Sequence, residues 1–133
     1  MSEVQPRPRL EAGTAIRLEV LGEEHVNRSL TQSSDFSRPI QEYVTETCWG
    51  DVWSRPGLDR RTRSLLNLAI LTALDRMHEL GVHVRGAVRN GCTEQEIQEV
   101  LLQTAAYCGA PAALESCRTA ERVLAELRAE SQR

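Results

Sequence analysis

The sequence predicts an all-α fold, a single-domain bundle of about six helices. Three observations carry this. Apolar residues recur at helical spacing along most of the chain, and glycines, prolines and capping residues cut that pattern into helix-length segments. No alternating strand pattern and no phosphate-binding glycine motif interrupts it. With 133 residues, 41% hydrophobic and 26% charged, the chain has the size and composition of one globular domain. Residues 10–128 are assigned to that domain, 1–9 to a flexible amino-terminal segment and 129–133 to a frayed tail.

The first helix is read in "RLEAGTAIRLEVLG", where Leu10, Ile16, Val20 and Leu21 lie near helical spacing and Gly22 stops it. A short helix follows through "EEHVNRSL". In "SRPIQEYVTETCWGDVW", Ile40, Tyr43, Val44, Thr47 and Cys48 fall at i, i+3, i+4, i+7 and i+8, the apolar stripe of an amphipathic helix; Glu42, Glu46, Trp49 and Trp53 lie on or near another face. Pro56 and Gly57 break the pattern, and Asp59 is the expected N-cap of the next helix. Past Ser64, "RRTRSLLNLAILTAL" is apolar on nearly every side, which marks a central helix surrounded by neighbours. Asn90-Gly91 ends the segment after it. "TEQE", Thr93 to Glu96, is a capping box, so the next helix starts at Glu94, carries Ile97, Val100, Leu101, Thr104 and Ala105 as its stripe, and ends at Gly109. Pro111 suits the first turn of a last helix.

Composition narrows the functional classes. No run reaches the roughly 18 apolar residues of a membrane span, and the start lacks a signal-peptide core, so a cytosolic protein is expected. A net charge of −3 without a single-sign block gives no footprint for nucleic acid or an anionic membrane. Cys48, Cys92, Cys108 and Cys117 are 44, 16 and 9 residues apart, with no CxxC pair for zinc or thiol redox work, and are expected to be free buried thiols. Only five aromatic residues, Phe36, Tyr43, Trp49, Trp53 and Tyr107, are available to anchor the core, and a small chain leaves much surface exposed when alone, so self-association is expected.

"RMHELGVHVRGAVRNG", Arg76 to Gly91, holds two of the three histidines, the third being His25. His78 and His83 are five residues apart, about 140° around a helix, which disfavours a shared metal ion. Glu79 and His83 are four apart and about 40° around, so a carboxylate and an imidazole share one face. A neighbouring carboxylate favours the imidazolium and moves its pKa toward working pH, where imidazole passes protons efficiently. The alternative is a solvated pair that only stabilises the helix.

Longer strings carry a resemblance. "WGDVWSRPGL", "RTRSLLNLAILTAL", "HELGVHVRGAVRNG", "TEQEIQEVLLQ" and "YCGAPAA", together with the opening "EAGTAIRLEVLGEEHVNRSL", are similar to the carboxymuconolactone decarboxylase family from about residue 10 to about residue 125. The resemblance implies an alkylhydroperoxidase-like bundle assembled into a ring, commonly a hexamer. The peroxidase relatives carry CxxCxxxH; with His83 as the histidine, the thiol positions fall on Arg76 and Glu79, so the peroxidase chemistry is lost while the histidine remains. The implied activity is cofactor-free decarboxylation of 4-carboxymuconolactone in the β-ketoadipate route of aromatic degradation, with no metal.

That reaction needs clamps for two carboxylates, stabilisation of a dienolate and a proton for the carbon alpha to the lactone carbonyl. His83 is assigned as general acid or dienolate-oxygen donor and Glu79 as the residue that orients and tunes it. Arg63 and Arg85 are the chosen clamps among the eight arginines from Arg38 to Arg89. Trp49 and Trp53 are candidates for an apolar wall beside the departing carboxylate, or for core packing. Glu46 is either a second acid at the substrate or a surface charge, Glu42 is read as a surface charge, and His25 and His78 are surface residues unless a subunit boundary brings them to a site. Another reaction of a vinylogous acid, or a non-catalytic oligomeric binding module, are the alternatives.

Overall fold

The computed structural model describes residues 5–133, and among them every regular element is helical. The helices are α1 (Pro8–Leu21), α2 (Glu23–Thr31), α3 (Arg38–Val44), a π-helical segment (Thr45–Val52) continuing α3, α4 (Arg60–Ala73), α5 (Met77–Arg89), α6 (Glu94–Cys108) and α7 (Ala110–Ser131). The described residues form seven α-helices, against the expected six or so, and Gly22, at φ 90°, separates α1 from α2 where the sequence places the stop. The amino-terminal segment expected to be flexible falls partly outside the described residues; α1 begins at Pro8, and α7 continues to Ser131. No helix among the described residues is long and apolar enough to cross a membrane.

Packing divides the chain into two compact units, one ending at Gly57 and one running from Leu58 to Arg133. In the first, α1 lies along α3 and the π segment with backbones nearly touching: a Cβ on Gly13 would sit 2.1 Å from the Thr45 carbonyl oxygen, and one on Gly50 would sit 2.7 Å from that of Arg9. This approach covers one side of the π segment, while no residue of α3 itself is buried. Thr45, Trp49 and Trp53 are buried, whereas Ile40, Tyr43 and Cys48 of the expected stripe are exposed. The predicted face of this helix is therefore wrong. The stripe was read with α-helical spacing throughout, but from Thr45 the winding is π, with the Trp53 N–H donating to the Cys48 carbonyl five residues back. Ion pairs tie the chain before and within α1 to the same helix: Arg7 to Glu42 and Glu46, Arg9 to Asp51.

The second unit packs α4, α5, α6 and α7 around Leu68, Leu80, Val84, Ala87, Ile97, Leu101 and Val123. Its local signals are those read from sequence. Asp59 accepts a hydrogen bond from the Thr62 N–H at 2.8 Å, and the Thr62 side-chain hydrogen bond, with this backbone one second, holds the Asp59 carboxyl below its ordinary range. Thr93 and Glu96 form the reciprocal box, at 3.1 Å from the Glu96 N–H to the hydroxyl and 2.9 Å from the Thr93 N–H to the carboxylate. Thr93→Ala is expected to remove about 1 kcal/mol of stability, read as a lower urea midpoint with unchanged slope; a wild-type midpoint would show that the box contributes nothing.

Three expectations need correction. α4 is covered on one side only, through Ser64, Leu68 and Thr72, while Leu66 and Ile70 stay exposed. Of the cysteines only Cys92 is buried; Cys48, Cys108 and Cys117 are exposed. Of the five aromatics only the two tryptophans are buried, with Phe36 and Tyr107 88% and 85% exposed.

Candidate active site

α4 and α5 run antiparallel along a seam that the hydrogen bonds register. Asn90, just after α5, donates to the Ser64 hydroxyl near the start of α4 at 2.9 Å. Midway, the Asn67 amide nitrogen lies 3.5 Å from Nδ1 of His83. Beyond it, the Ser116 hydroxyl of α7 donates to Thr72 near the end of α4 at 2.9 Å. His83 and Asn67 are both half-buried. Glu79 is one turn earlier on α5 and exposed; Arg63 is one turn from Asn67 on α4 and half-buried. The seam therefore orders an acid, the imidazole, an amide and a guanidinium along two facing helices.

Arg85 has other partners. Its Nη1 donates to Glu130 at 3.0 Å and its Nη2 to Glu126 at 2.7 Å, both on α7. Burial acts to lower its pKa, but these two carboxylates outweigh it and leave the guanidinium above its ordinary value. The Glu126 carboxyl is held below its ordinary range chiefly by its hydrogen bond with Arg85. His78 is exposed on α5 and His25 is half-buried on α2.

Trp49, Trp53 and Glu46 belong to the amino-terminal unit. The two indoles stack with centroids 4.8 Å apart and planes 26° from parallel. Glu46 is engaged by Arg7 and lies 4.0 Å from Arg9. This unit also contains Arg17, which sequence reasoning passed over. Arg17 is only 8% exposed and donates from Nη1 to neutral acceptors, Gln41 Oε1 at 3.0 Å and Thr45 Oγ1 at 3.1 Å. Burial lowers its pKa, with Cys48 acting weakly the other way. Its signal was a charge at a core-facing position, one turn after Gly13 and one before Val20 and Leu21.

Two grooves mark the second unit. One of about 910 Å³ runs between α6 and α7 and is lined by Leu101, Leu102, Ala113, Leu114 and Cys117 among others; one of about 310 Å³ lies between α4 and α6 beside Leu66 and Tyr107. His83 lines neither. Both are lined mainly by apolar side chains; the larger also carries the Glu94–Arg128 ion pair at 2.9 Å, and neither contains a histidine.

The model of the family described as the carboxymuconolactone decarboxylase family matches residues 38–122, a span that contains the whole seam. The chain belongs to the carboxymuconolactone decarboxylase family. It is 45% identical over 119 residues to the 4-carboxymuconolactone decarboxylase of Acinetobacter baylyi, covering 90% of this chain and 89% of the relative. It is 44% identical over 117 residues to the nitrosuccinic acid decarboxylase of Metarhizium robertsii, covering 88% and 82%. A 4-carboxymuconolactone decarboxylase of Pseudomonas putida matches at 40% over 45 residues, 34% of this chain and 94% of that one. The family membership covers α3 to α7, and the two long relatives extend the likeness over most of the chain.

Proposed function

We propose that this chain is a cofactor-independent decarboxylase that converts 4-carboxymuconolactone to the β-ketoadipate enol-lactone, with His83 as its proton donor. The observation that carries the reading is the near end-to-end likeness to a relative of that name; the half-buried His83 of α5, with the Asn67 amide of α4 against its Nδ1, supports the choice of proton donor. In the substrate, the departing carboxylate sits on a carbon allylic to a double bond conjugated with the lactone carbonyl. When the bond to CO₂ breaks, its electron pair moves through the double bond onto the lactone oxygen, so the substrate supplies its own electron sink. His83 then protonates the carbon alpha to the carbonyl, with Glu79 favouring the charged imidazole, and Arg63 meets a carboxylate. Arg85, already held by Glu126 and Glu130, would have to leave them to do the same.

A second substrate has a specific claim, because the likeness to the nitrosuccinic acid decarboxylase is almost as high. Nitrosuccinic acid is also a dicarboxylic acid with its own electron sink: loss of the carboxylate beside the nitro group leaves a nitronate that needs one proton. Ultraviolet assays of the purified protein with each acid decide between them. Enol-lactone formation from 4-carboxymuconolactone at the higher kcat/KM supports the first reading, and preference for nitrosuccinic acid replaces it with the second.

The proposal includes a homo-oligomeric, cytoplasmic enzyme, most simply a hexameric ring. Its support is the apolar surface left exposed on α4, α6 and α7 at Leu66, Ile70, Leu102, Leu114 and Tyr107. Sedimentation at micromolar concentration is expected to give one species several times the 14.9 kDa chain mass; a stable monomer overturns the assembly.

A further inference from the structure

We infer that Asn67 is a positioning residue for His83: its amide takes Nδ1 of the imidazole and thereby assigns proton delivery to Nε2. The inference rests on the reading of His83 given above. Asn67 interrupts an otherwise apolar run, "LLNLAIL", on α4. The other polar side chains of the buried face of that helix are engaged with uncharged groups: Ser64 with Asn90, and Thr72 with Ser116 and the Leu68 carbonyl. Asn67 alone of this row meets a titratable ring, across 16 residues of sequence, at 3.5 Å. That separation is long for a formed hydrogen bond, as catalytic contacts of ligand-free sites commonly are before substrate tightens them.

A carboxamide suits the task because it carries a donor and an acceptor on one planar group. Its NH₂ donates to a bare Nδ1, and after a half-turn its carbonyl accepts from Nδ1–H. The amide therefore follows the ring through both protonation states without holding it in either. With the imidazolium formed, the Asn67 carbonyl retains the Nδ1 proton. The Nε2–H bond breaks, its electron pair stays on Nε2, and the proton forms the new C–H bond of the product. Water returns a proton to Nε2 for the next cycle. An aspartate at this position would only accept, and would hold the ring charged.

Charged residues on α5 and the helices packed against it are Glu79 and Arg85 on α5, Arg63 on α4, and on α7 Glu126, paired with Arg85, and Arg122, whose guanidinium would lie 3.8 Å from a Cβ on Gly81. α6 joins this packing through Ile97 and Leu101. All of these stay in place when Asn67 alone is changed, so they cancel from the comparison.

The test uses Asn67→Asp and Asn67→Leu in the assembled full-length protein, with two readouts. In Asn67→Asp, the carboxylate against Nδ1 should raise the His83 pKa by about one unit or more, seen in the ¹⁵N shifts of both ring nitrogens and as a shift of the histidine limb of the pH–rate profile to higher pH. Asn67→Leu should lower kcat about tenfold or more with little change in KM, and should cost nothing further in a His83→Ala background. An unmoved His83 titration in the near-isosteric Asn67→Asp overturns the inference, as does an equal loss from Asn67→Leu with His83 already removed. If His83→Ala keeps full turnover, the reading of the active site fails, and the ¹⁵N titration still decides whether Asn67 controls the ring.

Discussion

Replacing His83 by alanine is expected to leave the helical fold and the assembly intact while lowering turnover of 4-carboxymuconolactone roughly 10²- to 10⁴-fold, the usual contribution of a positioned acid or base. The side chain is half-buried at the middle of the α4–α5 seam rather than in the core cluster, so its removal should not collapse the unit. Glu79→Gln should cost less. It keeps the shape but removes the carboxylate proposed to favour the imidazolium, so the histidine limb should move to lower pH. His78→Ala is the control: His78 is exposed and about 140° around α5 from His83, so turnover should stay within a few-fold of wild type. A folded, assembled His83→Ala protein with wild-type turnover would remove the proposed proton donor. Greater sensitivity at His78 would mean that the helical-face argument chose the wrong ring.

The largest effect on stability is expected from the smallest substitution, Gly13→Ala. In an isolated helix this change stabilises by up to about 1 kcal/mol. Here the added methyl would lie 2.1 Å from the Thr45 carbonyl oxygen and 2.9 Å from the Gly50 nitrogen, both backbone atoms of the facing helix. No side chain can swing aside, so the two helices must separate. The sign should reverse, to a loss of about 3 kcal/mol or more, measured as a drop in the urea midpoint. Gly57→Ala is the matched control, with nothing within 4 Å of its added methyl. A Gly13→Ala protein as stable as wild type would show that α1 does not pack backbone to backbone on the π segment.

The same contact explains why the two units differed in how far they could be read. Helix ends were legible because their signals are local: a hydroxyl and a carboxylate three residues apart at Thr93 and Glu96, an Asp59 carboxylate within reach of Thr62, glycines at Gly22, Gly91 and Gly109 with φ of 90°, 92° and 96°. The stripe of α6 was legible because its inner face is apolar. The covered side of the π segment was not, because it is set by Gly13 and Gly50, more than 30 residues apart, and by the π winding that begins at Thr45. In the candidate site, Glu79 and His83 share a helix and helical spacing suffices to pair them. Asn67 belongs to another helix, and nothing in an apolar run says which neighbour a single amide will meet. Arg85 was chosen for its charge, but its partners Glu126 and Glu130 lie 41 and 45 residues onward, beyond the reach of any local pattern.

The stacked indoles give the chain an optical asymmetry. Both of its tryptophans, Trp49 and Trp53, fall in the unit that ends at Gly57, and the unit from Leu58 onward has none. Tryptophan emission excited at the red edge of the indole band is therefore a signal from the first unit alone, while far-ultraviolet dichroism is weighted toward the long helices of the second. With ring centroids 4.8 Å apart, the two transitions also couple, so the near-ultraviolet dichroism should carry a split band that disappears when either indole is replaced. One denaturation series followed by both signals thus measures whether the two units melt as one cooperative body or in sequence, without any label being added to the protein.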